Sequence, residues 1–126
     1  MKKIHVSANA PKPLGPYSQA AEANGFVFLA GQIPIDPKTD QVVTGDIEKQ
    51  ATQVMENIKA VLTAAGLNFT NVVKTTIFLT DLNDFNKVNA IYGKYISEMP
   101  PARSTIQVAA LPKAVNVEIE MIAARA

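Results

Sequence analysis

Three charged residues near the end of the chain have types and spacing that could do chemistry. Arg103 opens the apolar segment "RSTIQVAAL", and Glu118 and Glu120 lie in "VNVEIEM". In an extended strand, residues 118 and 120 point to the same side, about 7 Å apart. Two carboxylates there repel unless a cation lies close. We predict that the strand opened by Arg103 pairs with theirs, which makes Arg103 that cation. Spacing leaves two interpretations open, a structural ion pair at a subunit interface or a functional site.

Composition argues against several other chemistries. The chain has no cysteine and a single histidine, His5, so neither a thiolate nucleophile nor a metal site is expected. Ser18 and Ser104 have no histidine base nearby in sequence, which disfavours a serine hydrolase. The net charge is +1 and the lysines are scattered, unlike the basic stripe of a nucleic-acid-binding protein.

Length and hydropathy set the architecture that must position these residues. At 126 residues the chain has the size of one domain, 1–126. No apolar run approaches the roughly 20 residues of a membrane-spanning helix, so we expect no membrane partner. The start "MKKIHVSANAPKP" lacks the apolar stretch of a signal peptide, which predicts a cytoplasmic location.

Hydrophobic periodicity predicts two helices. The first lies in residues 45–68, where apolar residues recur every three or four positions; Asp46 is a candidate N-cap and Gly66 a C-terminal stop. The second helix follows Asp81, a residue able to cap free N–H groups, and ends before Pro100 and Pro101.

Strand patterns occupy much of the remaining chain. "GFVFLAGQIPID" predicts a buried strand that runs into a loop, and "VVKTTIFLT" predicts a central strand. "RSTIQVAAL" and "VNVEIEMIAAR" add two more strands. In the central strand, one face is predicted to carry Val73, Thr75, Ile77 and Leu79.

This order predicts an α/β protein with one mixed sheet and both helices on a single face. The other face then needs a cover, because two helices shield only one side of a sheet. Apolar side chains of the later strands must be buried, and we expect the second face to meet another subunit. The residues concerned are Val73, Ile77, Val117, Ile119 and Met121.

The turn in "PLGPYSQA" presents an aromatic side chain. Gly15 and Pro16 shape the turn, and Tyr17 follows them. Aromatic residues in turns more often pack than bind ligands, so the residues alone leave both roles open for Tyr17.

Five motifs together resemble the RidA/YjgF family of reactive-intermediate deaminases over essentially the whole chain. They are "GPYSQA", "AGQIP", "VVKTTIFLTDLNDFNKVN", "PPARSTIQVAALP" and "VEIEM". The resemblance implies a chorismate-mutase-like α/β fold and a homotrimer with sites between subunits. It also implies cofactor-free hydrolysis of small 2-imino acids, such as 2-iminobutanoate and 2-iminopropanoate, to 2-oxo acids and ammonia. Pyridoxal-phosphate dehydratases would supply these imines.

The resemblance also implies a role for each site residue. Arg103 would bind the substrate carboxylate with a bidentate pair, and Glu118 would hold and polarise the attacking water. Tyr17, the backbone of Gly31 and the backbone N–H of Thr105 would bind substrate or product. Glu120 would be supporting or structural.

Two positions depart from the commoner family pattern. Ala30 stands where many members have serine, which removes a hydroxyl able to form a hydrogen bond, and Thr105 stands where many have cysteine. Two alternative functions stay open. One is an RNA-cleaving activity, which the near-neutral charge and missing catalytic histidine disfavour. The other is a binder of small carboxylates that keeps Arg103 without turnover.

Overall fold

The computed structural model describes residues 1–96 and 98–126. Its main sheet has six strands in the order β1-β2-β3-β8-β6-β7, and a separate two-stranded ribbon pairs β4 with β5. The strands are β1 (Lys3–His5), β2 (Ala20–Ala23), β3 (Phe26–Gln32), β4 (Ile35–Asp36), β5 (Gln41–Val42), β6 (Val72–Leu79), β7 (Ala102–Gln107) and β8 (Val117–Ala124).

Helix α1 (Ile47–Ala64) begins and ends as its sequence predicts. The Asp46 carboxylate accepts a hydrogen bond from the Lys49 amide at 2.9 Å, which caps the first turn. At the other end Gly66 adopts a positive φ of 75°, and the Leu67 amide bonds back to the Leu62 carbonyl at 2.9 Å. A residue in this conformation turns the chain out of the helix at little cost only if it is glycine.

Helix α2 (Phe85–Tyr95) begins later than the Asp81 cap suggests. Asp81 accepts a hydrogen bond from the Asn83 amide and caps a short 3₁₀ turn, Leu82–Asp84, which leads into the helix. Val88, Ile91 and Tyr92 are its buried residues, and they form the face that packs on the core.

Both helices cover one face of the sheet, and the core lies between them and the strands. Val54, Ile58 and Leu62 of α1 are fully buried in one cluster with Ile77, Ile119 and other residues of the sheet. Tyr92 of α2 joins that cluster, and its hydroxyl donates to Thr75 Oγ1 of β6 at 3.0 Å. The predicted mixed sheet with two helices on one face is confirmed.

The pairing predicted for the two last strands is wrong. β7 runs parallel to β6, with Arg103 beside Thr75, and β8 runs antiparallel to the other edge of β6. β6 therefore separates Arg103 from the glutamates. The error has a topological cause: α2 connects β6 to β7 as a crossover, which places β7 parallel to β6 at the edge of the sheet.

The face predicted for Val73 is also wrong. Val72 pairs with Ala123 and Lys74 with Ile122, so Val73 is an extra residue at an irregularity in β6. Val72 is consequently buried, whereas Val73 is 45% exposed. Alternation holds beyond this point, because Thr75, Ile77 and Leu79 all face the helices.

The sheet face away from the helices is partly apolar and open. Phe26, Phe28 and Ile106 keep almost half of their surface exposed there or at its edges. Ile77, Val117, Ile119 and Met121 are instead buried under the helices, so they do not need a second subunit to cover them. No helix among the described residues is long and apolar enough to cross a membrane.

Candidate functional site

An extra residue in β3 creates the surface on which Glu118 rests. Leu29 pairs with Met121 and Gln32 with Ile119, so β3 advances three residues where β8 advances two. This bulge brings Gly31 under the Glu118 side chain. A Cβ atom at Gly31 would lie 2.9 Å from Glu118 Cδ and closer still to a carboxylate oxygen. The carboxylate can keep this position only because residue 31 has no side chain.

Glu118 is half-buried and carries a perturbed carboxyl group. Burial is the main cause that raises its pKa above the usual 4.5, and the negative charge of Glu120 raises it further. Its neighbour on β6 is Phe78, an uncharged residue. Within residues 1–96 and 98–126, no cation forms an ion pair with Glu118.

The turn before β2 provides the next part of the site. The Tyr17 hydroxyl accepts a hydrogen bond from the Leu14 amide at 3.0 Å, and the Tyr17 amide donates to the Gly15 carbonyl at 2.8 Å. The turn thereby holds the half-exposed ring over a pocket of about 290 Å³. The pocket is lined by Leu14, Tyr17, Ala30, Gly31, Ile33, Pro112 and Glu118.

A buried glutamine anchors the segment that leads to this turn. Gln19 is 3% exposed; its amide group donates to the Pro11 carbonyl at 2.9 Å and accepts from the Ser7 amide at 2.6 Å. Sequence reasoning assigned no role to Gln19, although it stands in the motif "GPYSQA". The sequence feature that could have predicted this role is a polar residue just before an apolar strand, where backbone groups need hydrogen-bond partners.

Arg103 lies on the other side of the sheet. Its guanidinium carbon is 5.1 Å from the centre of the Tyr92 ring and 5.5 Å from that of Phe85, so two aromatic faces of α2 hold the cation. Arg103 neighbours Thr75, which faces the helices, whereas Glu118 neighbours Phe78 on the open face. No carboxylate in the described part of the chain forms an ion pair with Arg103.

Thr105 lies two residues further along β7, and its backbone amide is directed away from β6. The Val108 amide bonds to the Leu79 carbonyl of β6 at 2.8 Å. Because amide directions alternate along a strand, the Thr105 amide faces the free edge of the sheet. Its Oγ1 is buried without a hydrogen-bond partner in residues 1–96 and 98–126.

One chain therefore brings together only part of the predicted site. Tyr17, Gly31 and Glu118 meet in one pocket, while Arg103 and Thr105 lie together at the β7 edge. The predicted ion pair between Arg103 and the glutamates does not form within the chain, because β6 lies between the two strands and the side chains occupy opposite faces. A small molecule touching both groups would need a second copy of the chain.

Comparison with known proteins identifies the family of this fold and site. The family model described as Endoribonuclease L-PSP matches residues 7–125. The chain belongs to the RidA/YjgF family. Membership confirms the resemblance seen in the five sequence motifs, and the match includes both halves of the candidate site.

Individual RidA/YjgF relatives match over almost their whole length. A RutC family protein of Pyrococcus horikoshii is 55% identical over 98% of this chain and 98% of its own. The human 2-iminobutanoate/2-iminopropanoate deaminase is 46% identical over 98% of this chain and 90% of its own. The structure of E. coli TdcF with bound serine is 43% identical, with a TM-score of 0.94 and coverage of 98% and 99%.

A wider groove lies away from the residues that match the family motifs. It has a volume of about 660 Å³ between the segment around Ser7 and helix α1. The buried Asn57 there already donates to the carbonyls of Ile33 and Ile35, and its carbonyl accepts from Gln53. In the described chain no three His, Cys, Asp or Glu residues converge as a metal site, in this groove or elsewhere.

Proposed function

We propose that the protein hydrolyses small 2-imino acids, such as 2-iminobutanoate and 2-iminopropanoate, to 2-oxo acids and ammonia. The observation that carries the proposal is Glu118, a half-buried carboxylate with a raised pKa, no ion-pair partner in the described chain and a place in a small pocket. A general base works best when its pKa approaches the working pH. The name of the human relative supports the same reaction.

The complete site is proposed to lie between subunits of a homotrimer. One copy would contribute Glu118, Gly31 and Tyr17, and its neighbour would contribute Arg103 and the outward amide of Thr105. Three features support this arrangement: the two groups lie on opposite faces of one chain, β7 has a free edge, and the open sheet face carries exposed phenylalanines. Burial of such a surface is the usual driving force for association.

Binding would fix the substrate by its carboxylate. The Arg103 guanidinium offers two parallel N–H donors, and the ring faces of Tyr92 and Phe85 hold it in place. The Thr105 amide adds a third donor. The pocket wall of Leu14, Ile33 and Pro112 would then receive the short alkyl group of the substrate.

The proposed reaction adds water to the protonated imine carbon. Glu118 accepts a proton from water as its oxygen bonds to that carbon, which gives a tetrahedral amino alcohol. The Glu118 carboxylic acid returns the proton to nitrogen. As the C–N bond breaks, the Glu118 carboxylate takes the hydroxyl proton, which leaves a 2-oxo acid, and this proton passes to the departing ammonia as ammonium. The protonated imine is already electrophilic, so positioning and base assistance suffice and no cofactor takes part.

The substitution Arg103→Lys tests the proposal. Lysine keeps the charge but loses the two-donor fork, so we expect kcat/KM to fall at least about a hundredfold while the trimer persists. In the assay, threonine dehydratase generates the imine, and the rate at which the imine disappears is measured. The wild type and each variant are first dialysed against a chelator. Arg125→Lys is the matched control, since Arg125 is the only other arginine and binds Glu22 instead.

Each result separates the proposal from its alternatives. A trimeric Arg103→Lys variant with near wild-type turnover would remove Arg103 from the mechanism. Saturable binding of 2-oxobutanoate without faster imine decay in the wild type would identify a carboxylate binder. RNA cleavage that falls with added salt would favour the activity in the name of the family model.

A further inference from the structure

The face of the sheet that carries Glu118 also carries a second carboxylate. Glu120 stands two residues along β8, and its side chain is exposed. Its neighbour on β6 is Thr76, which in turn neighbours Ser104 on β7. These three polar residues form a row across this face of the sheet.

A lysine on this face contacts Ser104 and does not pair with Glu120. Lys74 lines the same shallow cavity as Glu120, but its Nζ donates to Ser104 Oγ at 3.1 Å. Within the described residues Glu120 forms no ion pair. No residue that the structure describes therefore neutralises its negative charge by direct contact.

We propose that Glu120 is a positioning residue of the imine hydrolysis, and that it acts through Glu118 by holding a second negative charge on the same sheet face. The inference rests on the proposed function. A neighbouring anion disfavours the ionised form of a carboxyl group, so the Glu118 carboxylate takes a proton from water more readily. Glu120 needs no contact with the substrate for this effect.

Among the charged residues around Glu118, Glu120 is the one whose charge opposes ionisation of the Glu118 carboxyl group. On β6 the facing residue is the uncharged Phe78, and Lys74 lies four residues before it. Gly31 of β3 contributes no charge. Tyr17 shares the pocket, and Lys12 lines an adjoining cleft with Tyr17 and Gly31.

The loop before β8 also places a charged residue near the Glu118 pocket. Pro112 lines the pocket, and the next residue, Lys113, is an exposed cation. After burial, the charge of Glu120 is the cause that raises the pKa of Glu118. Replacing Glu120 by glutamine removes this charge and keeps the shape of the side chain.

The experiment compares Glu120→Gln, Glu120→Asp and the control Glu48→Gln. Glu48 is an exposed residue in the first turn of α1, and its substitution makes the same change in charge. Carboxyl ¹³C NMR follows the titration of Glu118, and the Glu118→Gln variant identifies its signal. The imine assay records kcat and kcat/KM against pH for the same proteins, and light scattering checks their assembly.

We expect Glu120→Gln to lower the titration midpoint of Glu118 and to move the acidic limb of kcat/KM to lower pH. A weaker base should also lower kcat at neutral pH by about two- to tenfold. Glu120→Asp and Glu48→Gln should leave the titration midpoint of Glu118 close to that of the wild type. High salt should reduce the difference between Glu120→Gln and wild type.

Two results would overturn the inference. One is an unchanged Glu118 midpoint in a Glu120→Gln variant that remains assembled. The other is a lowered midpoint with an unchanged acidic limb, because the coupling would then have no part in the reaction. Absence of hydrolysis by the wild type would overturn the proposed function instead, and it is visible in the assay before any variant is compared.

Discussion

Glu22 and Glu118 are two glutamates of the same sheet with opposite surroundings. Arg125 Nε donates to Glu22 Oε2 at 2.7 Å and its Nη2 to Oε1 at 2.9 Å, while His5 Nε2 lies 2.7 Å from Oε1. These hydrogen bonds lower the pKa of Glu22 to about 2, and hydrogen bonding to Arg125 has the largest effect. The pKa of Glu118 is raised by burial and by the charge of Glu120, and in residues 1–96 and 98–126 no cation pairs with this carboxylate.

The contrast separates a structural carboxylate from a candidate catalytic one. The Glu22 corner joins distant parts of the chain, since Arg125 also donates to the Ala65 carbonyl after α1 and His5 belongs to β1. Its charges are satisfied and hold elements together. Glu118 has no such partner in the described part of the chain and lies in a pocket, which is the usual setting of a group that exchanges protons with a ligand.

The largest effect expected from this contrast is the loss of activity in Glu118→Gln. Glutamine keeps the shape but cannot accept the proton, so kcat should fall about a hundredfold or more. Glu22→Gln should keep kcat and instead lower the melting temperature, because the contacts of Arg125 and His5 weaken. The imine assay and thermal unfolding of both variants test this. Equal activity losses in the two variants would contradict the assignment of different roles.

Two glycines provide the next comparison. A Cβ at Gly31 would collide with the Glu118 carboxylate, whereas one at Gly25 would meet no atom within 4 Å. We expect Gly31→Ala to lower kcat/KM about tenfold or more by displacing the base. Gly25→Ala should keep the rate and lose about 1 kcal/mol of stability, because φ is +80° at Gly25. Full activity in Gly31→Ala would show that the position of the carboxylate is unimportant.

The free energy of unfolding should depend on pH in opposite ways through Glu22 and Glu118. Glu22 has a folded pKa of about 2 against its usual 4.5, so its contribution is present above about pH 4.5 and is lost as pH falls toward 2. The raised pKa of Glu118 has the opposite sign and lowers stability as pH rises above 4.5. Urea unfolding at several pH values should show a smaller acid loss in Glu22→Gln and a more stable Glu118→Gln at neutral pH. Parallel curves for both variants would contradict these pKa directions.

The smallest expected effect concerns backbone strain beside the two carboxylates. The β2–β3 turn near Glu22 places Asn24 and Gly25 at positive φ, and these residue types tolerate it. The loop at the Glu118 pocket places Lys113 and Ala114 there, both at φ 56°. Ala114→Gly should therefore stabilise the protein by about 0.5–1 kcal/mol, while Asn24→Gly should change little. Urea midpoints measure both, and a destabilised Ala114→Gly would show that the loop is unstrained.

Local patterns were sufficient to predict much of the fold. Asp46 and Gly66 bound α1 as expected, since capping depends on a few neighbouring residues. The alternation in "VEIEM" placed Glu118 and Glu120 on one face, because side chains in any strand alternate. The roles of Arg103, Glu118, Tyr17, Gly31 and Thr105 came from the family motifs and stay predictions.

The tertiary structure decided which residues meet. Periodicity does not specify strand neighbours, so sequence reasoning paired β7 with β8 and placed Arg103 beside the glutamates. It also missed the irregularities at Val73 and at Gly31, because an extra residue is defined only against its partner strand. Proton affinity followed the same rule: Glu22 and Glu118 are chemically identical, and the chain segments packed around each carboxylate set their different pKa values.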